Sequence, residues 1–464
     1  MLRKAMVLVV VFGLVAGGGA AFGFSLTADQ DLTTQAGVLN GGAEVINPTG
    51  TGTLADPWVY DWAAAGVSAD LVLGSYKIST NESGVYPPQR QNESVKYDLN
   101  GGTITGSGTV ALQSTATSRY AGTGDITVLN AGDINCGGIT TRATGRDGNT
   151  GHIIVGEAVG SGDGPVGNIR VDTLDTRCGD SADSGDITVY GSGNVLIQNS
   201  GGTPGDVRTN YQRPDGNNNH PAGWVEIRHD GALVANLIDT HATSDNSSHG
   251  GPVTLEGDIF GDGASGTCTV DRIRTEHTFV GESNYRRNGG HVHISGYTGV
   301  TLGQVSTYRR GSTYSATLWR AGDLTIEDIE GDVEITGSID LDGEGVRAGT
   351  LTITTTGSKI TLAELDLDLM EDAVLTASGD SFVGELLHFD VLNPANGELV
   401  AAASGVVWYD PDVADNGYLG GGVYTLSDGW LAPLGARDPR LVPEPAGLSF
   451  LGLALFGLKR TKRS

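Results

Sequence analysis

Four aspartates, Asp340, Asp342, Asp366 and Asp368, form two Asp-x-Asp pairs at matching offsets in consecutive segments of the chain. If those segments stack, the carboxylates make a two-by-two patch with neighbours roughly 5 to 7 Å apart, and a hard cation taking oxygen ligands relieves their repulsion. Calcium is the ion expected there, and no other cofactor is. No glycine-rich nonapeptide calcium repeat or EF-hand loop accompanies the patch.

The same alignment yields two more rows. Asp175, Arg208, Asp239 and Arg274 alternate in sign, which predicts a ladder of ion pairs between neighbouring segments. Arg177, Asn210, His241, Glu276 and Tyr308 bring polar, planar and aromatic groups beside long loops. Such a row would hydrogen-bond to and stack on a sugar chain. The bland alternative is an ordinary solvated face.

His291 and His293 share a strand face but have no third ligand in register, so they do not define a metal site. Carboxylate pairs at a spacing suited to glycoside hydrolysis are so numerous that none is singled out, and no catalytic residue is assigned.

What must position these rows is a repeat. A four-residue pattern with apolar second and fourth positions begins after glycine at Asp125, His152, Asp186, Trp224, Pro252, His291, Asp323 and Thr350, at intervals of 27 to 39 residues. Period-two alternation marks a strand with one buried face. A second, Gly-led run follows (GDINC, GNIRV, GNVLI, GVTL, GDVEI), and then a third, led by Ile139, Leu174, Val207, Ile238, Ile273, Val305, Ile339 and Leu365.

Three short Val/Ile/Thr strands per repeat predict an all-β fold, a right-handed parallel β-helix of about nine coils stacked roughly 4.8 Å apart. One coil cannot bury its own apolar face, whereas stacked coils share a continuous core. Insertions after the third run, at Tyr211, His277 and Tyr308, project from one corner, where solenoids often bind.

The body is expected to span 94–380, with an aromatic-rich N-terminal cap over 24–93 and a C-terminal cap and linker over 381–440. Residues 1–23 read as a signal peptide: Arg3 and Lys4, an apolar run, then small residues. The three cysteines, Cys136, Cys178 and Cys268, read as small buried residues, with a bridge between the first two left open.

At the far end, Pro443-Glu444-Pro445 leads into an apolar run and a basic tail, Lys459-Arg460-Thr461-Lys462-Arg463. This segment, 441–464, resembles a PEP-CTERM sorting signal. The resemblance implies an exosortase-type processing enzyme as partner, cleavage near the Pro-Glu-Pro, and a cell-surface or extracellular destination. Both terminal apolar segments are short for a permanent span, which suits transient membrane contact.

A net charge of −27 repels nucleic acid and anionic lipid. The expectation is therefore an exported cell-surface or extracellular-matrix protein with a structural or polysaccharide-binding role. The alternative is a polysaccharide lyase or glycoside hydrolase on the same scaffold, and fold alone does not choose between them.

Overall fold

The computed structural model describes residues 24–41, 44–66, 70–82, 93–117, 121–144, 148–178, 183–212, 221–244, 249–279, 288–310, 320–344, 347–387 and 398–441. The chain is almost entirely β, in long parallel sheets. Each first run is a strand, and together they lie in one parallel sheet that starts at Trp58–Asp61 and ends at Glu398–Ala401. Ile126 stands opposite Ile153, Ile153 opposite Ile187, Ile187 opposite Val225 and Val225 opposite Val253. All five are buried. Each such side chain contributes roughly 1.5 to 3 kcal/mol on leaving water, and none could do so without the coils on either side.

The third runs are in the expected register. Ile139 pairs with Leu174, and the column continues through Val207, Ile238, Ile273, Val305 and Ile339. In several repeats the second and third runs join into one strand, as in Leu233–Asp239, Cys268–Arg274 and Val300–Ser306. The insertions leave from a further set of short strands, including Tyr211–Gln212, Ala242–Ser244, His277–Phe279 and Arg309–Arg310, which pair in parallel with one another. The outer parts of the insertions lie outside the described residues.

Two columns explain how coils of unequal length share one frame. The first is glycine: Gly124, Gly151, Gly185, Gly223, Gly251, Gly290, Gly322 and Gly349. From Gly151 onward, a Cβ on each would collide with the carbonyl oxygen of the glycine one coil earlier. None has positive φ. The residue is demanded by close approach of backbones rather than by a turn.

The second column is threonine. Thr141, Thr176, Thr209, Thr240, Thr275 and Thr307 are fully buried. Each donates its hydroxyl to the carbonyl of the column glycine that opens the next coil, respectively Gly151, Gly185, Gly223, Gly251, Gly290 and Gly322. The bond closes a neck across 9 to 15 residues of chain, so an insertion of any length leaves and re-enters at fixed points. Thr240→Val keeps the volume and removes the donor. We expect a loss of about 1 to 2 kcal/mol, read by chemical denaturation.

Parallel pairing extends beyond 94–380 on both sides. Trp58–Asp61 pairs with Val95–Asp98, and Leu71–Gly74 with Ile104–Gly106. Asp372–Thr376 pairs with Glu398–Ala401, and Val406–Tyr409 with Trp430–Pro433. The inward residues at the N-terminal end are aromatic, with Tyr60 stacked on Tyr97 at 5.5 Å, so the aliphatic pattern does not reveal that coil. Antiparallel hairpins stand near both ends, Leu39–Gly41 with Glu44–Ile46 and Tyr424–Thr425 with Trp430–Pro433. Hairpins of this kind blunt an open parallel edge. Cys136, Cys178 and Cys268 are all buried, and Cys136 and Cys178 do not bridge each other; the Cys178 sulfur lies 3.2 Å from the Ser184 hydroxyl oxygen.

Candidate functional site

The residue between each column glycine and the next strand stands at the corner joining the third run to the first. Asp125 Oδ1 accepts the His152 N–H at 2.7 Å, and His152 Nδ1 accepts the Asp186 N–H at 3.0 Å. Asp186 Oδ1 accepts the Trp224 N–H at 3.0 Å. The pattern resumes further on, where His291 Nδ1 accepts the Asp323 N–H at 3.0 Å and Asp323 Oδ1 accepts the Thr350 N–H at 2.9 Å. Between these two stretches the side-chain ladder stops. Trp224 offers no acceptor and Pro252 has no N–H to donate, so each tolerates the other's deficiency.

At this break stands Trp224, 48% exposed. Beside it opens a groove of about 430 Å³, lined by Asp125, His152, Asp183, Asp186, Trp224 and His249, with Leu54, Pro221 and Pro252 as apolar wall. An exposed aromatic face flanked by carboxylates and imidazoles provides both a stacking surface and hydrogen-bond partners for a polar ring.

Burial raises the Asp125 carboxyl above the usual range, against the lowering effect of the His152 N–H. His152 is raised, chiefly by its hydrogen bond to Asp186. Its Nδ1 also lies 3.0 Å from Asp186 Oδ2. The same nitrogen accepts the amide when it carries no proton or donates to the carboxylate when it carries one, and cannot do both. At the sister corner, burial first and Arg320 second lower His291 instead.

The row Arg177, Asn210, His241, Glu276 and Tyr308 keeps its order, since the Ala242 N–H reaches the Glu276 carbonyl and the His277 N–H that of Tyr308. Its side chains are largely committed. Asn210 and His241 are buried. His241 Nδ1 sits 2.5 Å from Asp239, Arg177 is 2.6 Å from Asp175, and Arg274 is 2.9 Å from Glu276.

The alternating row Asp175, Arg208, Asp239 and Arg274 is likewise in register. The expected ladder between coils, however, is not what forms. Each of these residues pairs within its own coil with the residue two away: Arg177, Asp206, His241 and Glu276 in turn. An extended guanidinium matches the roughly 6.6 Å between i and i+2 better than the shorter step between coils.

Asp340 Oδ1 accepts the Asp342 N–H, and Asp366 Oδ1 accepts the Asp368 N–H. Among the described residues, no group of three or more His, Cys, Asp or Glu side chains is placed to hold a metal ion. The Asp340 carboxyl is pushed up to about 6, first by burial and then by the charges of Asp342, Glu276 and Asp366. A raised carboxyl contributes stability that is full below the unfolded value and lost as pH rises through 6. Asp340→Asn is therefore expected to stabilise the protein by about 1 to 2 kcal/mol at pH 7.5 and by almost nothing at pH 4. Denaturation at the two values checks this, and calcium should stabilise the wild type and not the variant if the patch takes that ion.

On the first face, Arg228 bridges Glu226 at 2.6 Å and Glu256 at 3.0 Å, and the Tyr190 hydroxyl meets Glu226 at 3.2 Å. Glu226 and His293 stand two strands apart, with Thr254 between them. They do not share a proton directly. Pro443, Glu444 and Pro445 lie outside the described residues, as do residues 1–23. Comparison of the chain with protein-family models, curated proteins and solved structures found no match.

Proposed function

We propose that the protein is an exported, acidic, right-handed parallel β-helix with capped ends that binds polysaccharide at the cell surface or in the extracellular matrix. The single observation that carries the binding role is the Trp224 indole, laid open at the break in the corner ladder beside a groove of about 430 Å³. A structural indole in a β-solenoid belongs in the core, where burying its ring is favourable; this one is held in solvent. Export and surface attachment rest on the N-terminal apolar segment and on the PEP-CTERM-like tail, with an exosortase-type enzyme acting near Pro443-Glu444-Pro445.

A hydrolase or lyase on the same scaffold is the second reading. It is favoured by one feature, the raised Asp125 carboxyl in a groove that also holds Asp186. Both carboxylates already accept a backbone N–H of the next coil, which suits them to holding the corner.

The test is a retention screen of the purified protein on acidic, neutral and amino polysaccharides, with and without calcium, scoring new reducing or unsaturated ends. Retention without new ends is the expected result. New ends would replace the binding reading with the enzymatic one, and neither retention nor new ends on any polymer would overturn both.

A further inference from the structure

The two corners share a His–Asp step but differ in the charge of the residue three positions before the aspartate. At the sister corner, Asp323 is preceded three residues earlier by Arg320, whose guanidinium pairs with the Asp323 carboxylate. At the groove corner the equivalent position before Asp186 is Asp183, which lines the groove together with Asp186 and Asp125. Among the described lining residues there is no Lys or Arg. A cation built into one corner is thus replaced by a further carboxylate at the other, beside the exposed indole.

From this charge reversal we infer that the groove selects a cationic sugar, a polymer carrying free amino groups on its hexose units. The inference rests on the polysaccharide-binding reading and adds to it the chemical class of the ligand. A protonated sugar amine takes the place that the Arg320 guanidinium holds at the sister corner, between the carboxylates of Asp183 and Asp186. The apolar face of the same ring lies on Trp224, where a nearby ammonium is also attracted to the indole. N-acetylation removes the charge and adds bulk at the position where the carboxylates converge. Uronic-acid polymers bring a carboxylate against three others and are repelled.

Asp186→Asn is the informative variant, because its side-chain carbonyl can still accept the Trp224 N–H while the charge is gone. Asp183→Asn serves as the second charge variant, away from the ladder. The experiment is isothermal titration of the full chain and both variants with a β-1,4-linked glucosamine hexamer and with its N-acetylated counterpart.

The expected result is tighter binding of the free amine by about tenfold or more, a preference that shrinks toward equal binding of the two hexamers in each variant. Equal binding of the two hexamers by the wild type would overturn the amine selection and leave the sugar-binding reading standing. Binding of neither hexamer, together with no retention on any other polysaccharide, would remove that reading as well. A free-amine preference that survives both substitutions would place the selection elsewhere and overturn the assignment to this groove.

Discussion

Gly223→Ala is expected to lower the stability of the stack by roughly 3 kcal/mol or more, since the added methyl would occupy the space of the Gly185 carbonyl oxygen. The neighbouring coils cannot move apart locally. Gly185 and Gly251 meet their own neighbours in the same way, so a gap opened at one step breaks ladder hydrogen bonds on every face of that coil. Gly162→Ala is the control, because nothing lies within 4 Å of a Cβ there and its φ is not positive. Urea unfolding of the two variants should show a large fall in midpoint for the first and almost none for the second. Equal midpoints would mean that the glycine column is not what sets the approach of the coils.

The second large effect is an acid instability centred on His229. This side chain is fully buried, and its Nε2 lies 2.9 Å from the hydroxyl of the equally buried Tyr297. Burial lowers its pKa to about 4, against smaller raising effects from the Gly193 backbone and Asp230. A depressed imidazole leaves stability intact above the unfolded value near 6.5. Stability is then lost as pH falls, until the folded state also takes the proton near 4.

Between pH 7.5 and pH 4.5 this one group should remove about 2 to 3 kcal/mol. His229→Gln can keep a hydrogen bond to Tyr297 and cannot titrate. Its loss over the same interval should be smaller than that of the wild type by about that amount. Asp340, which works in the opposite direction over part of this range, is common to both proteins and cancels in the comparison. Parallel pH profiles for the two proteins would contradict the assignment.

How much of this was legible from the residues alone differs between fold and site. The first and third runs and their registers follow from period-two alternation and from the glycine that precedes each first run. The stacked pairs Ile126 with Ile153 and Ile139 with Leu174 are where the pattern puts them. The glycine is visible only as the residue before each first run, whereas its role is to let one backbone pass another. The threonine of the third run was visible as a repeated letter, but the sequence does not say which carbonyl its hydroxyl meets. The coil before residue 94 was hidden because Trp58 and Tyr60 replace the aliphatic residues of the pattern.

The site was less accessible. The groove is built from the residue just after each column glycine, a position used in the sequence only to mark where repeats begin. A signal was nonetheless present: Trp224 and Pro252 interrupt an otherwise polar column of Asp, His and Thr at consecutive coils. A residue without an acceptor followed by one without an N–H is the pattern of a broken side-chain ladder. The charged rows of the third run were located correctly and paired wrongly. Sequence spacing gives the distance between Cβ atoms but not the direction in which a long guanidinium extends.

The central claim is that the exposed indole at the break is a binding surface. Its most direct test is retention of the wild type and Trp224→Ala on the immobilised polysaccharides of the screen, with the unfolding midpoint of each measured alongside. Because the indole is 48% exposed, its removal should leave the midpoint nearly unchanged. The account predicts that retention falls about tenfold or more in the variant. Equal retention of the two proteins, with equal midpoints, would contradict it.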